Sequence, residues 1–256
     1  MNRLTTLFKN KKSPILSIYF TAGYPNLEST IDIAEALEKS GVDFIEIGFP
    51  YSDPIADGPV IQASSQIALN NGMTLPILFE QLKELRKRIS IPVLLMGYVN
   101  PVLQYGVQNF CNKAAEVGVD GVIVPDLPIY EYENLYKSCF LDNNLSNIFL
   151  VTPQTSEDRI KKIDELSSGF IYLLSSSSTT GKDLKVSDAA DAYFQRIKDM
   201  NLKNPTMIGF GISDQKSFEK AAEYTRGAIV GSAFVKFLAE DRALENVGKF
   251  LRGIRQ

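Results

Sequence analysis

The 256-residue sequence contains no histidine, which removes the side chain most often used for acid–base catalysis near neutral pH. Catalytic arrangements of the Ser-His-Asp and Cys-His kinds are therefore excluded, and so are zinc sites built on imidazole. Any acid–base chemistry must use carboxylates, tyrosines, lysines or a metal ion.

Cysteine is also scarce. Cys111 and Cys139 stand alone in predicted helices, so we predict that they are core thiols rather than a disulfide or a metal site, in a reducing compartment. Residues 1–12 are polar and basic without the apolar segment of a signal peptide, and no apolar run approaches the length of a membrane span. We therefore expect a cytoplasmic protein.

The charge balance gives no sign of a polyanionic partner. The net charge is -3, and no basic stripe suggests binding to nucleic acid or to an anionic membrane. With 45% hydrophobic and 22% charged residues, the composition is that of an ordinary globular protein. The length suits one (β/α)₈ barrel, so we expect a single domain over residues 1–256.

Short apolar runs alternate with amphipathic stretches along the chain. We predict strands at residues 15–20, 44–49, 92–98, 118–124, 147–151, 169–174, 205–209 and 227–230. Helices are predicted at residues 2–10, 26–40, 61–70, 75–89, 110–117, 130–141, 156–166, 188–200 and 214–224, with a last helical stretch ending at 255. The sequence Gly-Val-Asp occurs just before the second predicted strand and at the start of the fourth, which is a weak internal repeat. This α/β pattern favours a TIM barrel with extra N-terminal and loop helices over a doubly wound sheet.

The second predicted strand carries a carboxylate where an apolar residue is expected. Glu46 lies within the apolar run 44–49, and burying it without a partner costs several kcal/mol unless it is protonated. Asp57 lies on the Pro-rich loop that follows, at the strand end where α/β barrels place their active sites. We predict that both are catalytic groups. The structural alternative is a salt-bridged Glu46 and an Asp57 that caps the next helix.

Glycine-bearing loops follow the last three predicted strands, at residues 175–181, 209–213 and 230–233. Glycines let backbone amides approach a ligand closely, and a helix N-terminus attracts anions. We predict a phosphate site formed by Gly181, Gly211, Ser213, Gly231 and Ser232, with residues 175–181 as a lid. The structural alternative is plain turn glycines and serine N-caps.

The run Glu-Ile-Gly-Phe-Pro-Tyr-Ser-Asp-Pro-Ile-Ala-Asp-Gly-Pro at residues 46–59 closely resembles the signature of the tryptophan synthase alpha chain. Further landmarks follow in the same order as in that family, at residues 21–25, 98–101, 126–128, 172–175, 209–213 and 231–233. The resemblance implies a TIM-barrel lyase of tryptophan biosynthesis. Such a lyase cleaves indole-3-glycerol phosphate to indole and glyceraldehyde 3-phosphate.

The resemblance also implies a role for individual residues. Glu46 would be the general acid–base that acts on indole C3 and on the glycerol hydroxyl, and Asp57 would hold the indole N–H. The other implied site residues are Tyr172 and Thr180 in support, and Tyr19 and Phe210 around the indole ring. From the residues alone, Tyr172 shares a strand face with Phe170 and Leu174, so a core tyrosine fits equally well.

A partner is implied as well. Members of the family work with a pyridoxal-phosphate beta chain that joins indole and serine, and an alpha2-beta2 tetramer is expected. This chain itself is expected to hold no cofactor and no metal. The partner surface is predicted at the exits of strands two to four, although these could be turn residues only. Its residues are Tyr51, Asp53, Pro54, Asn100, Pro101, Asp126 and Pro128.

The sixth loop departs from the family pattern. Residues 175–181 read Ser-Ser-Ser-Ser-Thr-Thr-Gly, with Ser178 where a glycine is usual in the family. Because of this difference, the resemblance does not imply that the loop closes over a substrate. One alternative is therefore a catalytically impaired barrel that acts as an activator of a beta chain. Another is a different phosphate-binding barrel, such as a Schiff-base aldolase or a sugar-phosphate isomerase or epimerase. An aldolase of that kind needs a lysine within a strand, and the predicted strands contain none.

Overall fold

A computed structural model describes residues 2–174, 188–209, 211–240 and 242–255. All its strands belong to one parallel sheet in the order β5-β4-β3-β2-β1-β9-β8-β7-β6. The strands are β1 Ile15–Thr21, β2 Phe44–Gly48, β3 Val93–Met96, β4 Gly121–Ile123, β5 Ser146–Ile148, β6 Leu150–Val151, β7 Ile171–Leu174, β8 Thr206–Gly209 and β9 Gly227–Val230.

The two short strands β5 and β6 are parts of one strand that is interrupted at Phe149. The first part pairs with β4 and the second with β7, so this segment joins the two edges of the sheet. The sheet is thus a barrel with eight strand positions, which confirms the predicted fold.

Helices cover the outside of the barrel and follow most of the strands. They are α1 Arg3–Asn10, α2 Thr30–Lys39, α3 Pro59–Asn70, α4 Leu75–Gln81, α5 Leu85–Arg88, α6 Val99–Tyr105, α7 Val107–Glu116, α8 Ile129–Glu131, α9 Lys137–Asp142, α10 Glu157–Leu166, α11 Asp188–Asp199, α12 Gln215–Tyr224, α13 Ser232–Phe237 and α14 Ala243–Arg252. Single 3₁₀ turns lie at Leu27–Ser29 and Leu82–Glu84, and a π turn lies at Tyr132–Tyr136.

Every predicted strand overlaps an observed one, but the helices differ in detail. The sequence predicted a loop around Pro101, whereas α6 begins at Val99. Proline is tolerated there because it lies in the first turn, where a backbone N–H has no partner within the helix. The last helical stretch is two helices, and Arg242 with φ 57° lies between them.

The side chains of the strands alternate between two apolar cores. Ile15, Phe44, Leu94 and Phe170 fill the barrel interior. The intervening residues pack outward against the helices. Because both faces are buried, the strands appear in the sequence as continuous apolar runs.

Both cysteines are free thiols, as predicted. Cys111 on α7 is buried, and this burial raises the pKa of its thiol to about 12. Cys139 on α9 is half-buried. Within the described ranges, no helix is long and apolar enough to cross a membrane.

The N-terminal end of the barrel is closed by α1, whose Leu4 is fully buried in the interior core. Asp120, 1% exposed, fixes this helix in place. Its carboxylate accepts hydrogen bonds from the Arg3 guanidinium at 3.2 Å, from the Arg86 guanidinium at 2.7 Å and from the Val93 N–H at 3.0 Å. A buried charge is tolerated here because it is paired and hydrogen-bonded.

Removing the Asp120 carboxylate should destabilise the barrel. Asp120→Ala leaves the half-buried Arg86 without its ion-pair partner and Val93 without its acceptor, so we expect a loss of roughly 3–5 kcal/mol. Glu116→Ala removes an exposed pair with Lys113 and should cost less than about 1 kcal/mol. Urea denaturation of both variants measures the difference, and equal costs would show that the Asp120 network does not stabilise the fold.

Candidate active site

Glu46 lies inside the barrel, near the C-terminal end of β2. It is two residues beyond Phe44, a member of the interior core, and therefore shares the inward face of the strand. Its neighbours in register are Tyr19 on β1 and Leu94 on β3. Glu46 thus lies on the face of β2 that points into the barrel.

The Glu46 carboxyl is 0% exposed, and neither of its oxygens has a hydrogen-bond partner among the described residues. The structural alternative of a salt-bridged glutamate is therefore wrong for this part of the chain. Burial raises the pKa of Glu46 from 4.5 to about 8, because an ion loses its hydration inside the barrel. The Ser17 hydroxyl lowers this pKa, but it is not in hydrogen-bonding geometry with either oxygen. Glu46 is thus protonated at neutral pH.

Asp57 lies on the loop between β2 and α3 and is half-buried. Burial raises its pKa from 3.8 to about 6, and the hydrogen bond from Tyr98 lowers it. The Tyr98 hydroxyl donates to Oδ2 of Asp57 at 3.0 Å and accepts from the Ala56 N–H at 3.0 Å. Asp57 is not the cap of α3, since Gly58 occupies that position. At pH 7 roughly nine-tenths of Asp57 is ionised.

Two tyrosines share the barrel interior with Glu46: Tyr19 lies beside it on β1, and Tyr172 lies on β7. Burial, followed by nearby acidic groups, raises the pKa of both Tyr19 and Tyr172, and Glu46 and Asp57 contribute in each case. Each hydroxyl fits over a glycine of the neighbouring strand: a Cβ on Gly48 would lie 2.1 Å from the Tyr19 oxygen, and one on Gly209 would lie 1.9 Å from the Tyr172 oxygen. Tyr172 therefore extends into the interior that also contains Glu46.

The sequence reasoning missed two features of this site. Tyr98 was noted only as part of a motif, yet its hydroxyl holds the Asp57 carboxylate. Gly48 and Gly209 were not identified as the residues that make room for the tyrosine hydroxyls. A signal for Tyr98 was present, since it follows the strand that pairs with β2 and therefore emerges beside the same loop.

A narrow cleft lies next to Asp57. Tyr19, Phe49, Met96 and Tyr98 contribute to its apolar and aromatic lining. The flat ring of an indole matches a lining of this kind. Three predicted site residues, Thr180, Gly181 and Phe210, lie outside the described residues, and so does the predicted lid at residues 175–181.

The predicted phosphate residues of the last two loops lie side by side, because β8 and β9 are neighbours. Gly211 has φ +75°, a conformation that favours glycine, and Gly231 precedes Ser232 at the start of α13. The first amides of a helix have no carbonyl partner within it. The Ser213 N–H, in contrast, already donates to the Ser217 hydroxyl at 3.1 Å.

The predicted partner residues form a connected surface at the exits of β2, β3 and β4. The Asn100 side chain donates to the Tyr51 hydroxyl at 3.2 Å, and the Val99 N–H donates to Asp126 at 2.8 Å. Asp53, Asn100, Asp126 and Pro128 are exposed, whereas Tyr51, Pro54 and Pro101 are half-buried.

The protonation state of Glu46 makes stability depend on pH. The unfolded side chain ionises near pH 4.5 and the folded one near pH 8, so the unfolded state binds fewer protons in between and stability falls as the pH rises through this window. Glu46→Gln removes the ionisable group, and with it this loss of stability at higher pH. We expect the stability difference between the variant and the parent to grow in favour of the variant by roughly 3–5 kcal/mol from pH 5 to pH 8. Urea denaturation at several pH values tests this, with Glu219→Gln on the surface as the control; a difference independent of pH would contradict a neutral, buried Glu46.

Comparison with known proteins points to one family. The model of the tryptophan synthase alpha chain family matches residues 6–251. A tryptophan synthase alpha chain from Flavobacterium psychrophilum is 54% identical over 254 residues, which cover 99% of this chain and 100% of that protein.

Solved structures agree with this result. A structure of Mycobacterium tuberculosis tryptophan synthase matches with a TM-score of 0.89 at 32% identity, over 100% of this chain and 99% of that chain. A structure of the tryptophan synthase complex from Pyrococcus furiosus matches with a TM-score of 0.85 at 35% identity, over 95% of this chain and 98% of that chain. With nearly its whole length matched in sequence and in fold, the chain belongs to the tryptophan synthase alpha chain family.

Proposed function

We propose that this lyase cleaves indole-3-glycerol phosphate by a retro-aldol reaction in which Glu46 moves both protons. The observation that carries the proposal is the Glu46 carboxyl: fully buried in the barrel, without a hydrogen-bond partner in the described chain, and protonated at neutral pH. An acid for one step and a base for the next is what this cleavage requires.

The first step needs an acid and an anion. Glu46 donates its proton to C3 of the indole, and the electron pair for the new C–H bond comes from the ring, so that positive charge develops at the ring nitrogen. Asp57, ionised at neutral pH, accepts the hydrogen bond of the indole N–H and stabilises this charge. Tyr98 holds the Asp57 carboxylate in place through its 3.0 Å hydrogen bond.

The second step needs a base. The Glu46 carboxylate takes the proton of the hydroxyl on the carbon attached to C3, and the oxygen lone pair forms the aldehyde carbonyl. The carbon–carbon bond breaks, its electron pair returns to the ring, and indole and glyceraldehyde 3-phosphate are the products. Glu46 ends protonated, ready for the next cycle. Activity should therefore fall as the pH rises through about 8 and also as it falls through about 6.

The other predicted residues position the substrate. Tyr172 lies close enough to both carboxylates to orient a substrate hydroxyl, and Tyr19 lines the cleft beside Asp57. Gly211, Gly231 and Ser232 offer backbone amides to the phosphate, and Ser213 must exchange its bond to Ser217 to join them. We assign Thr180, Gly181 and Phe210 to the same site from the resemblance.

The alternatives are less well supported. The nine observed strands contain no lysine, so a Schiff-base aldolase lacks its nucleophile there. A barrel that only activates a partner would not need a buried, unpaired Glu46 beside an ionised Asp57, since burial of that carboxyl costs stability.

We also propose that the chain works with a beta chain in an alpha2-beta2 tetramer in the cytoplasm. The Pyrococcus furiosus structure is described as a tryptophan synthase complex. Large apolar side chains at the exits of β2 and β4 support a protein partner there, with Ile55 80% exposed and Tyr130 75% exposed. Pyridoxal phosphate would belong to the beta chain, because the two proton transfers described above use only side chains of this chain.

The decisive substitution is Glu46→Gln, which keeps the shape of the side chain but cannot transfer protons. Release of indole from indole-3-glycerol phosphate should fall by roughly 10²–10⁴-fold, with the fold and partner binding retained. Asp57→Asn should also reduce the rate severely, yet leave some activity because an amide oxygen still accepts the N–H. Near-normal indole release by Glu46→Gln would place the chemistry elsewhere.

The partner surface is tested with Asp53→Ala. Asp53 is exposed on the loop after β2, so its loss should leave the isolated barrel folded while weakening association with a beta chain and the mutual activation of the two subunits. Glu219→Ala is the matched control, because it removes an exposed carboxylate from α12, after β8 on another part of the barrel. If calorimetric titration gave the same affinity for both variants and the parent, the partner surface would have to lie elsewhere.

A further inference from the structure

A second polar group is buried inside the barrel near Glu46. Ser17 on β1 is 0% exposed and alternates with Ile15 and Tyr19 on the inward face of the strand. Its hydroxyl oxygen has no hydrogen-bond partner among the described residues, as is also the case for both Glu46 oxygens. Two orphaned polar groups thus face the same apolar interior from adjacent strands.

A buried hydroxyl without a hydrogen-bond partner destabilises a folded protein, so its presence needs a reason. An apolar residue would fill this position without that cost, as Ile15 does on the same face. The proposed reaction supplies a reason. Between the two proton transfers Glu46 is a charged carboxylate that is shielded from bulk solvent, and such a group needs a hydrogen-bond donor.

We propose that the Ser17 hydroxyl donates a hydrogen bond to the Glu46 carboxylate while that carboxylate is charged, and that Ser17 is a positioning residue of the reaction. The inference rests on the proposed function, since it requires Glu46 to lose and regain a proton. The effect of Ser17 on the pKa of Glu46 is consistent with this role, because Ser17 lowers that pKa and so favours the ionised form of Glu46.

The other polar groups near Glu46 are placed differently. The hydroxyls of Tyr19 on β1 and Tyr172 on β7 extend over Gly48 and Gly209, and Asp57 lies on the loop after β2. β3 contributes only Leu94 and Met96 to the interior, which do not titrate. Ser17 is one inward-facing position below Tyr19, away from the loops.

These neighbours do not obscure the ionisation of Glu46. The pKa of Asp57 is about 6, and burial raises the pKa of both tyrosines above 10. Only Glu46 among these groups ionises near pH 8, so the upper limb of the pH–rate profile reports on it.

The experiment compares Ser17→Val with Ser17→Thr in the full chain, because valine and threonine have nearly the same shape and differ in the hydroxyl. Ser17→Val should lower kcat for indole release by roughly tenfold, with little change in KM, and should move the upper limb of the pH profile up by about one pH unit. Ser17→Thr should restore both values to near those of the parent. Ser17→Ala, which adds no bulk, gives the same comparison if the branched residues do not fold.

Ser167→Ala is the control, because Ser167 also carries a buried, orphaned hydroxyl but lies at the C-terminal end of α10, outside the site. It should leave the pH profile unchanged. An unaltered upper limb and kcat in Ser17→Ala or Ser17→Val would overturn the role of Ser17, as would a loss that Ser17→Thr fails to restore. Neither result would affect the proposed function, which fails only if Glu46→Gln remains active.

Discussion

The cost of burying one carboxyl group underlies the chemistry that we propose for this barrel. Glu46 has no partner in the described structure, and the apolar side chains around it keep water away. The carboxyl therefore stays protonated at neutral pH. A glutamate with a raised pKa of this kind can donate its proton to a substrate as a general acid. Asp57, which is only half-buried, remains charged a short distance along the chain. One strand and its exit loop thus supply both an acid and an anion.

The surrounding barrel keeps this arrangement in place. Strands pair in register, so Tyr19 is fixed beside Glu46, and Gly48 leaves the space that the tyrosine hydroxyl occupies. On the opposite side of the interior Gly209 does the same for Tyr172. A side chain at either glycine would displace the neighbouring tyrosine hydroxyl. Both glycines therefore shape the site although they transfer no proton. The close packing of a barrel interior makes such shape matching effective.

Much of this could be predicted from the sequence, and the exceptions have physical causes. Strands that are buried on both faces give uninterrupted apolar runs in the sequence, so the strands of the barrel could be predicted. A glutamate within such a run is conspicuous, so Glu46 could be singled out as a buried carboxylate. The helix at Val99–Tyr105 is not evident from the sequence because proline usually interrupts a helix, although it is tolerated in the first turn. The Tyr98–Asp57 bond was missed because it joins two loops whose distance depends on the curvature of the sheet.

Two buried acidic residues show how function can be separated from structure. Asp120 and Glu46 are equally inaccessible, but Asp120 accepts bonds from Arg3, Arg86 and the backbone, whereas Glu46 accepts none in the described chain. The first closes the N-terminal end of the barrel, where a charge can be fully compensated. The second lies toward the other end, where compensation would remove its reactivity by fixing its charge. A glutamate that stays uncompensated lowers stability above pH 5, so the proton transfer that we propose, rather than the fold, accounts for a glutamate at this position.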